Sequence, residues 1–222
     1  MGPLAFVGGD EWTEGCDFDA ALLEASGATE VVVLPTAAAF ERPERKVLAA
    51  AEWFEPLGAR VRGLMVVSRA DAQDEGAAEV VRRARFVYLS GGSALHLRSV
   101  LKESRVYEAL REAWEAGAVV AGASGGGMVL TDPMVDPRGG ALTVGLGLVT
   151  GLAVVPHFGD VHQDAHGEKL HRTVALAPEG LPVVGVPTRS ALVREPSGGW
   201  RAWGPVAVFV DGEAADLSAL RS

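Results

Sequence analysis

Ser124 stands in Val119-Val120-Ala121-Gly122-Ala123-Ser124-Gly125-Gly126-Gly127-Met128-Val129-Leu130. An apolar run ends in Gly-x-Ser-x-Gly (Gly122, Ser124, Gly126), and a second apolar run follows. A buried strand that stops, turns sharply at a serine and enters a helix presents a hydroxyl for nucleophilic attack. Flanking glycines leave room for a turn that side chains would block. The first amides of the helix are free to stabilise an oxyanion. A glycine-rich structural turn carrying an incidental serine is the plainer account, in a chain with 28 glycines.

A serine hydroxyl needs a base within hydrogen-bond reach. The chain has 5 histidines. His96 falls on a predicted helix and reads as structural or surface. The other four fall within 157–171. His157 is the candidate base, because it follows Val154-Val155-Pro156, a strand expected to end on the same side of the sheet as Ser124. A buried histidine that is merely hydrogen-bonded accounts for it equally well.

His162 and His166 are spaced i, i+4, with Asp160 and Asp164 nearby. On a helix such a pair could bind zinc. Gly159 and Gly167 weaken a helix there, and no third ligand is placed, so the stretch from 158 to 167 reads as a polar loop or flap over the site. No metal site is expected. Gly91-Gly92-Ser93 could supply a second oxyanion amide or bind phosphate. A phosphate loop would carry Lys or Arg close by; none lies in the turn, and Arg98 is a helical turn or more further on.

The elements that must position these residues alternate. Strands are expected at 4–9, 31–34, 60–67, 85–89 and 118–122. Helices are expected at 17–25, 44–54, 72–84, 93–101 and 104–116. Continuous β-branched runs alternating with helices predict a doubly wound, mainly parallel sheet. Ligands bind such sheets beyond the carboxyl ends of the strands. The glycine turns Gly8-Gly9, Gly91-Gly92 and Gly122 to Gly127 all fall at those ends. A strand at 152–155, a helix at 168–177 and a β-rich tail follow. The tail reads as a meander of strands at 183–186, 190–194, 199–203 and 206–210.

The chain of 222 residues is 48% hydrophobic and 22% charged, enough for a substantial core in one α/β domain over 1–222. No apolar run reaches the roughly 18 residues that cross a membrane. The first residues lack a basic and apolar secretion signal, so a cytoplasmic location is expected. A net charge of −9 argues against nucleic acid or an anionic membrane as partner. Cys16 is the single cysteine, which excludes an internal disulfide and a cysteine metal cluster. Trp200 and Trp203 in the tail suit either a homodimer surface or core packing.

Four features in order resemble the cyanophycinase and dipeptidase E family of serine peptidases, which share the class I glutamine amidotransferase fold. They are Phe86 to Gly92, the Gly122-Ala123-Ser124-Gly125-Gly126 turn, Gly145-Leu146-Gly147-Leu148 with Pro156-His157-Phe158, and Val184-Gly185-Val186-Pro187. The resemblance implies Ser124 as nucleophile, His157 as base and the amides of Gly92 and Gly125 as an oxyanion hole. It also implies hydrolysis of a small peptide or isopeptide, without a cofactor. The family commonly places an acid after the strand equivalent to 184–187; here that position is Thr188, followed by Arg189. Asp132, Asp136, Asp160 and Glu168 are alternative supports for the histidine. A hydroxyl orients an imidazole but stabilises imidazolium less than a carboxylate does. Three other readings stand beside this one: a degenerate relative that binds a peptide without efficient turnover, a metal-dependent hydrolase using His157, His162 and His166, and an α/β-hydrolase. The last would place its acid and then its histidine late in a longer chain.

Overall fold

Apolar β-branched runs predict strands buried on both faces, and the central sheet is built from them. The computed structural model describes residues 1–160 and 165–220, with side chains described outside 161–169. The first half runs β1 (Leu4–Val7), α1 (Phe18–Ser26), β2 (Glu30–Leu34), α2 (Pro43–Phe54), β3 (Arg60–Gly63), α3 (Glu75–Arg83), β4 (Phe86–Leu89), α4 (Ala94–Leu101), α5 (Arg105–Glu115), β5 (Val119–Ala123) and α6 (Gly125–Met128). β1 to β5 are mutually parallel, in the spatial order β1-β5-β4-β2-β3.

Side-chain alternation along each strand feeds two cores. Leu4 and Phe6 of β1 join Val87, Leu89 and Val120 against α3, α4 and α5. Ala5 and Val7 join Phe86, Tyr88, Val119 and Ala121 against Phe18 and Leu22 of α1 and Phe54 of α2. Helices therefore cover both faces, as the run-and-helix alternation predicts.

In the first half, two boundaries differ from expectation for local reasons. The strand from Arg60 ends at Gly63, because Val66 N–H bonds back to the Leu64 carbonyl at 2.8 Å and turns the chain. The helix expected from 72 starts at Glu75, because Asp74 caps it by accepting the Ala77 N–H at 2.7 Å.

The second half continues with β6 (Thr131–Asp132), β7 (Met134–Val135), β8 (Leu142–Thr143), β9 (Val149–Thr150), β10 (Ala153–Pro156), α7 (Ala165–Leu176), β11 (Val183–Val186), β12 (Ala191–Arg194), β13 (Trp200–Trp203), β14 (Ala207–Val210) and β15 (Glu213–Ala215). Helix α7 starts at Ala165, three residues earlier than expected and within the stretch read as a loop. The tail strands exist, but they do not form one meander. The β12–β13 hairpin pairs antiparallel with the open edge of β1, completing a seven-stranded sheet among the described residues. β11 and β14 instead join β10 and β15 in a separate sheet, with β10 and β11 parallel. Leu192 faces one core of the main sheet, and Ala191 and Val193 face the other. A β1 buried on both faces needs such a partner for its remaining backbone groups.

Trp200 stacks on Phe6 with ring centroids 6.1 Å apart, and Trp203 packs on the opposite core. Both tryptophans are thus partly buried against the cores. Among the described residues no helix is long and apolar enough to cross a membrane.

Candidate active site

β1 and β5 end side by side, and the chain beyond β5 turns at Ser124. Its φ of 48° and ψ of −117° form a strained conformation for an L-residue, between the strand and α6. The turn is held on both sides. The Ser124 N–H donates to the Val7 carbonyl at 2.8 Å, and the Ser124 carbonyl accepts the N–H groups of Gly127 and Met128 at 3.1 and 2.9 Å.

His157 arrives from the other sheet, at the end of β10. Its N–H donates to the Gly8 carbonyl at 2.8 Å, and the Phe158 N–H donates to the Val186 carbonyl at 3.2 Å. The first bond joins the end of β10 to the end of β1, and the second ties it to β11. His157 Nε2 lies 2.8 Å from Ser124 Oγ. Gly9, at φ 132°, lies against the imidazole, and a β-carbon there would collide with the ring. The backbone conformation and the close approach both require glycine.

The turn after β4 reaches the same point. Ser90 N–H donates to the Leu34 carbonyl at 3.1 Å, and Ser93 N–H to the Ala37 carbonyl at 2.8 Å. Gly92 has φ 142°, and its carbonyl passes directly over the Cα of Gly125. Among the described residues, neither the Gly92 nor the Gly125 N–H donates to an acceptor. The structure thus brings Ser124, His157, Gly92 and Gly125 together from the turns after three strands, β5, β10 and β4.

Sequence reasoning missed Glu11 and Lys46. The Glu11 side chain is only 6% exposed, and its Oε1 accepts the Gly91 N–H at 3.0 Å and Lys46 Nζ at 2.7 Å. Burial pushes the Glu11 carboxyl up, but the Lys46 charge and the bonds from Lys46 and Gly91 outweigh it and hold the group below its ordinary value. An acid two residues past Gly8-Gly9, at the end of a central strand, was the available signal.

A second buried acid, Asp19 of α1, lies nearby. Trp53 Nε1 donates to its Oδ2 at 3.0 Å. Burial, with the neighbouring Glu11 charge adding to it, pushes the Asp19 carboxyl up to about 8. Cys16 is buried, and burial raises its thiol, which fits a bystander rather than a nucleophile.

The expected supports for His157 are placed as follows. Thr188 is half-buried in the turn after β11, beside Arg189, whose N–H donates to the Gly9 carbonyl at 2.9 Å. Asp132 Oδ1 accepts the Gly145 N–H at 3.2 Å. Asp136 binds Arg138 through both carboxylate oxygens, at 3.0 and 2.6 Å. Asp160 N–H donates to the His157 carbonyl at 3.3 Å. Glu168 falls on α7, and its side chain lies outside the described residues, as do those of His162 and His166. Among the described residues no three His, Cys, Asp or Glu side chains gather as a metal site. His96 Nε2 lies 2.9 Å from the Val67 carbonyl, a structural role.

A strained serine between a central parallel strand and a helix, with a histidine on its hydroxyl, defines the serine-hydrolase class of site. Residues 8–198 match the model of peptidase family S51. The chain belongs to that family, the serine peptidases that include cyanophycinase and dipeptidase E. It is 27% identical over 178 residues to the cyanophycinases of Synechococcus elongatus and Thermosynechococcus vestitus, covering 78% of this chain and 54% of each relative. The chain thus spans about half the length of these curated relatives. The crystal structure of a peptidase from an acI-B1 actinobacterium superposes with a TM-score of 0.82 at 25% identity, covering 97% of this chain and 96% of the other. A putative peptidase E from Listeria monocytogenes EGD-e has the same fold, with a TM-score of 0.65, 17% identity and coverage of 95% and 98%.

Proposed function

We propose that this chain is a serine peptidase that cleaves a small peptide or isopeptide through an acyl-enzyme on Ser124. The observation that carries the proposal is the 2.8 Å contact between His157 Nε2 and Ser124 Oγ, made at a serine whose backbone is strained. Strain costs about 1–3 kcal/mol and persists where surrounding structure imposes it, as at active sites. A binder without turnover has no need of it, which disfavours the degenerate reading.

In this mechanism His157 Nε2 takes the hydroxyl proton as Ser124 Oγ attacks the scissile carbonyl. The N–H groups of Gly92 and Gly125 receive the developing oxyanion. Each such donor is worth roughly 10²–10³ in rate. His157 then gives the proton to the departing amine. Water, deprotonated by His157, releases the acyl group and restores Ser124.

By the resemblance, Thr188 stands at the family's acid position, where it supplies no charge to the histidine. Replacing a triad acid costs up to about 10⁴ in rate, so turnover with Thr188 would be slow. The net charge of −9 supports a small peptide, rather than nucleic acid or an anionic membrane, as the partner, and a cytoplasmic location agrees with this.

The test is intact-mass labelling with a small fluorophosphonate. One adduct on wild type, absent from Ser124→Ala and His157→Ala, is expected. An unlabelled wild type overturns the proposal.

A further inference from the structure

We propose that Glu11, held by Lys46, is a positioning residue of the acyl-transfer site: it anchors the Gly91 N–H and thereby aims the Gly92 N–H at the substrate's carbonyl oxygen. The inference rests on the serine-peptidase reading above and deepens it.

Three consecutive peptide units make up the turn. The Ser90–Gly91 unit is pinned by its N–H on Glu11 Oε1 at 3.0 Å. The Gly92–Ser93 unit is pinned by its N–H on the Ala37 carbonyl at 2.8 Å. Between them lies the Gly91–Gly92 unit, whose N–H has no acceptor among the described residues. Glycine on both sides gives this unit rotational freedom that other residues lack. The carbonyl of this unit accepts the Ser90 hydroxyl at 3.3 Å, a long bond from the adjacent side chain; beyond it the direction of the unit follows its two neighbours, and Glu11 controls one of them.

Glu11 suits the task. It is 6% exposed, so water does not compete for the bond. Its charge strengthens the bond relative to a neutral acceptor. The arrangement also touches the nucleophile: a β-carbon built on Gly91 would lie 3.1 Å from Glu11 Oε1 and 3.4 Å from Ser124 Cβ. A bare carboxylate this close would oppose an oxyanion. Lys46, at 2.7 Å, neutralises it. The pair thus supplies a firm acceptor without a net negative charge at the reacting carbonyl.

The experiment compares two reactions at position 124. Phosphonylation by a fluorophosphonate joins Ser124 Oγ to phosphorus, expels fluoride, passes the proton to His157 and places a phosphoryl oxygen against the oxyanion amides. Alkylation of a Ser124→Cys protein by iodoacetamide passes the thiol proton to His157, joins sulfur to carbon, expels iodide and builds no oxyanion. Glu11→Ala is expected to slow phosphonylation about 10- to 100-fold, between the cost of freeing one residue and that of losing one oxyanion donor. In the Ser124→Cys background, Glu11→Ala is expected to leave alkylation, mapped to that position, within about twofold, since freeing the turn is worth its cost only where an oxyanion forms. Glu11→Gln keeps an acceptor and should fall between wild type and Glu11→Ala; it decides the matter if the alanine variant does not fold.

Equal losses in both reactions, or no loss in phosphonylation, overturn the positioning role while leaving Ser124 as the nucleophile. A wild type that is never phosphonylated overturns the underlying reading and this inference with it.

Discussion

Val7 accepts the backbone N–H of Ser124 at 2.8 Å, and the next carbonyl, that of Gly8, accepts the backbone N–H of His157 at the same distance. Two successive carbonyls at the end of β1 therefore set the separation of the serine and the histidine. One comes from the neighbouring strand of the main sheet, and the other from the separate sheet. The spacing of the pair is a property of the β1 terminus rather than of either side chain's own element.

Gly9 tests this directly. Gly9→Ala puts a methyl group into the His157 ring at a φ of 132°. Displacing the ring by about 1 Å is expected to lower fluorophosphonate labelling about 10²-fold. Circular dichroism should show an unchanged fold. Normal labelling by Gly9→Ala would show that the ring does not depend on this contact.

The strain at Ser124 predicts opposed effects on stability and reactivity. Ser124→Gly accommodates φ 48° without a side-chain clash and should raise stability by about 1 kcal/mol. For a chain of this length that is a rise of about 2–4 °C in Tm. Ser124→Ala keeps a β-carbon and should show no such rise. Both variants lose labelling. Differential scanning calorimetry of the three proteins measures the difference.

The two buried acids predict opposite pH limbs. Asp19 is raised from 3.8 to about 8 in the folded protein, so the folded state binds the extra proton between those values. Stability contributed at Asp19 therefore falls as pH rises through that window. Glu11 is lowered below its ordinary 4.5, so its contribution is present above that value and lost as pH falls. Asp19→Asn retains an acceptor for Trp53 and cannot ionise. Its stability relative to wild type should improve from pH 5 towards about pH 8 and then level off in urea titrations. A difference independent of pH would contradict a proton held on Asp19.

Thr188 stands where the family's acid is expected. Thr188→Glu should accelerate labelling by about tenfold or more, if its carboxylate reaches the imidazole from the turn after β11. Stopped-flow or mass-resolved labelling rates measure it, with the uncharged Thr188→Gln as the control expected to give no acceleration. No acceleration would move attention to another support for His157.

Local rules made much of the protein legible before any tertiary contact was known. The Gly122-x-Ser124-x-Gly126 turn is a short-range device. It needs only a strand, a strained φ and room for backbone, and all three are written within ten consecutive residues. The helices over 18–26, 43–54, 94–101 and 105–115 follow from apolar spacing and capping residues such as Ser93 and Ser104, each of which accepts an N–H three residues on. Even the convergence of the three glycine turns follows from strands that run parallel and end on one side.

The tertiary structure decided which strands pair and which polar groups meet. Short apolar runs mark 191–194 and 207–210 equally as strands, yet one completes the main sheet beside β1 and the other joins β11. The pattern states that a face is buried, not against what. Glu11 and Lys46 lie 35 positions apart, and each alone reads as an ordinary charged residue of a loop or helix surface. Only the fold places both beside Gly91, where burial makes the pair, and not either charge by itself, physically tolerable. Local geometry is encoded in adjacent residues; partnership across the chain depends on which buried faces and unpaired groups the folded core leaves to be satisfied.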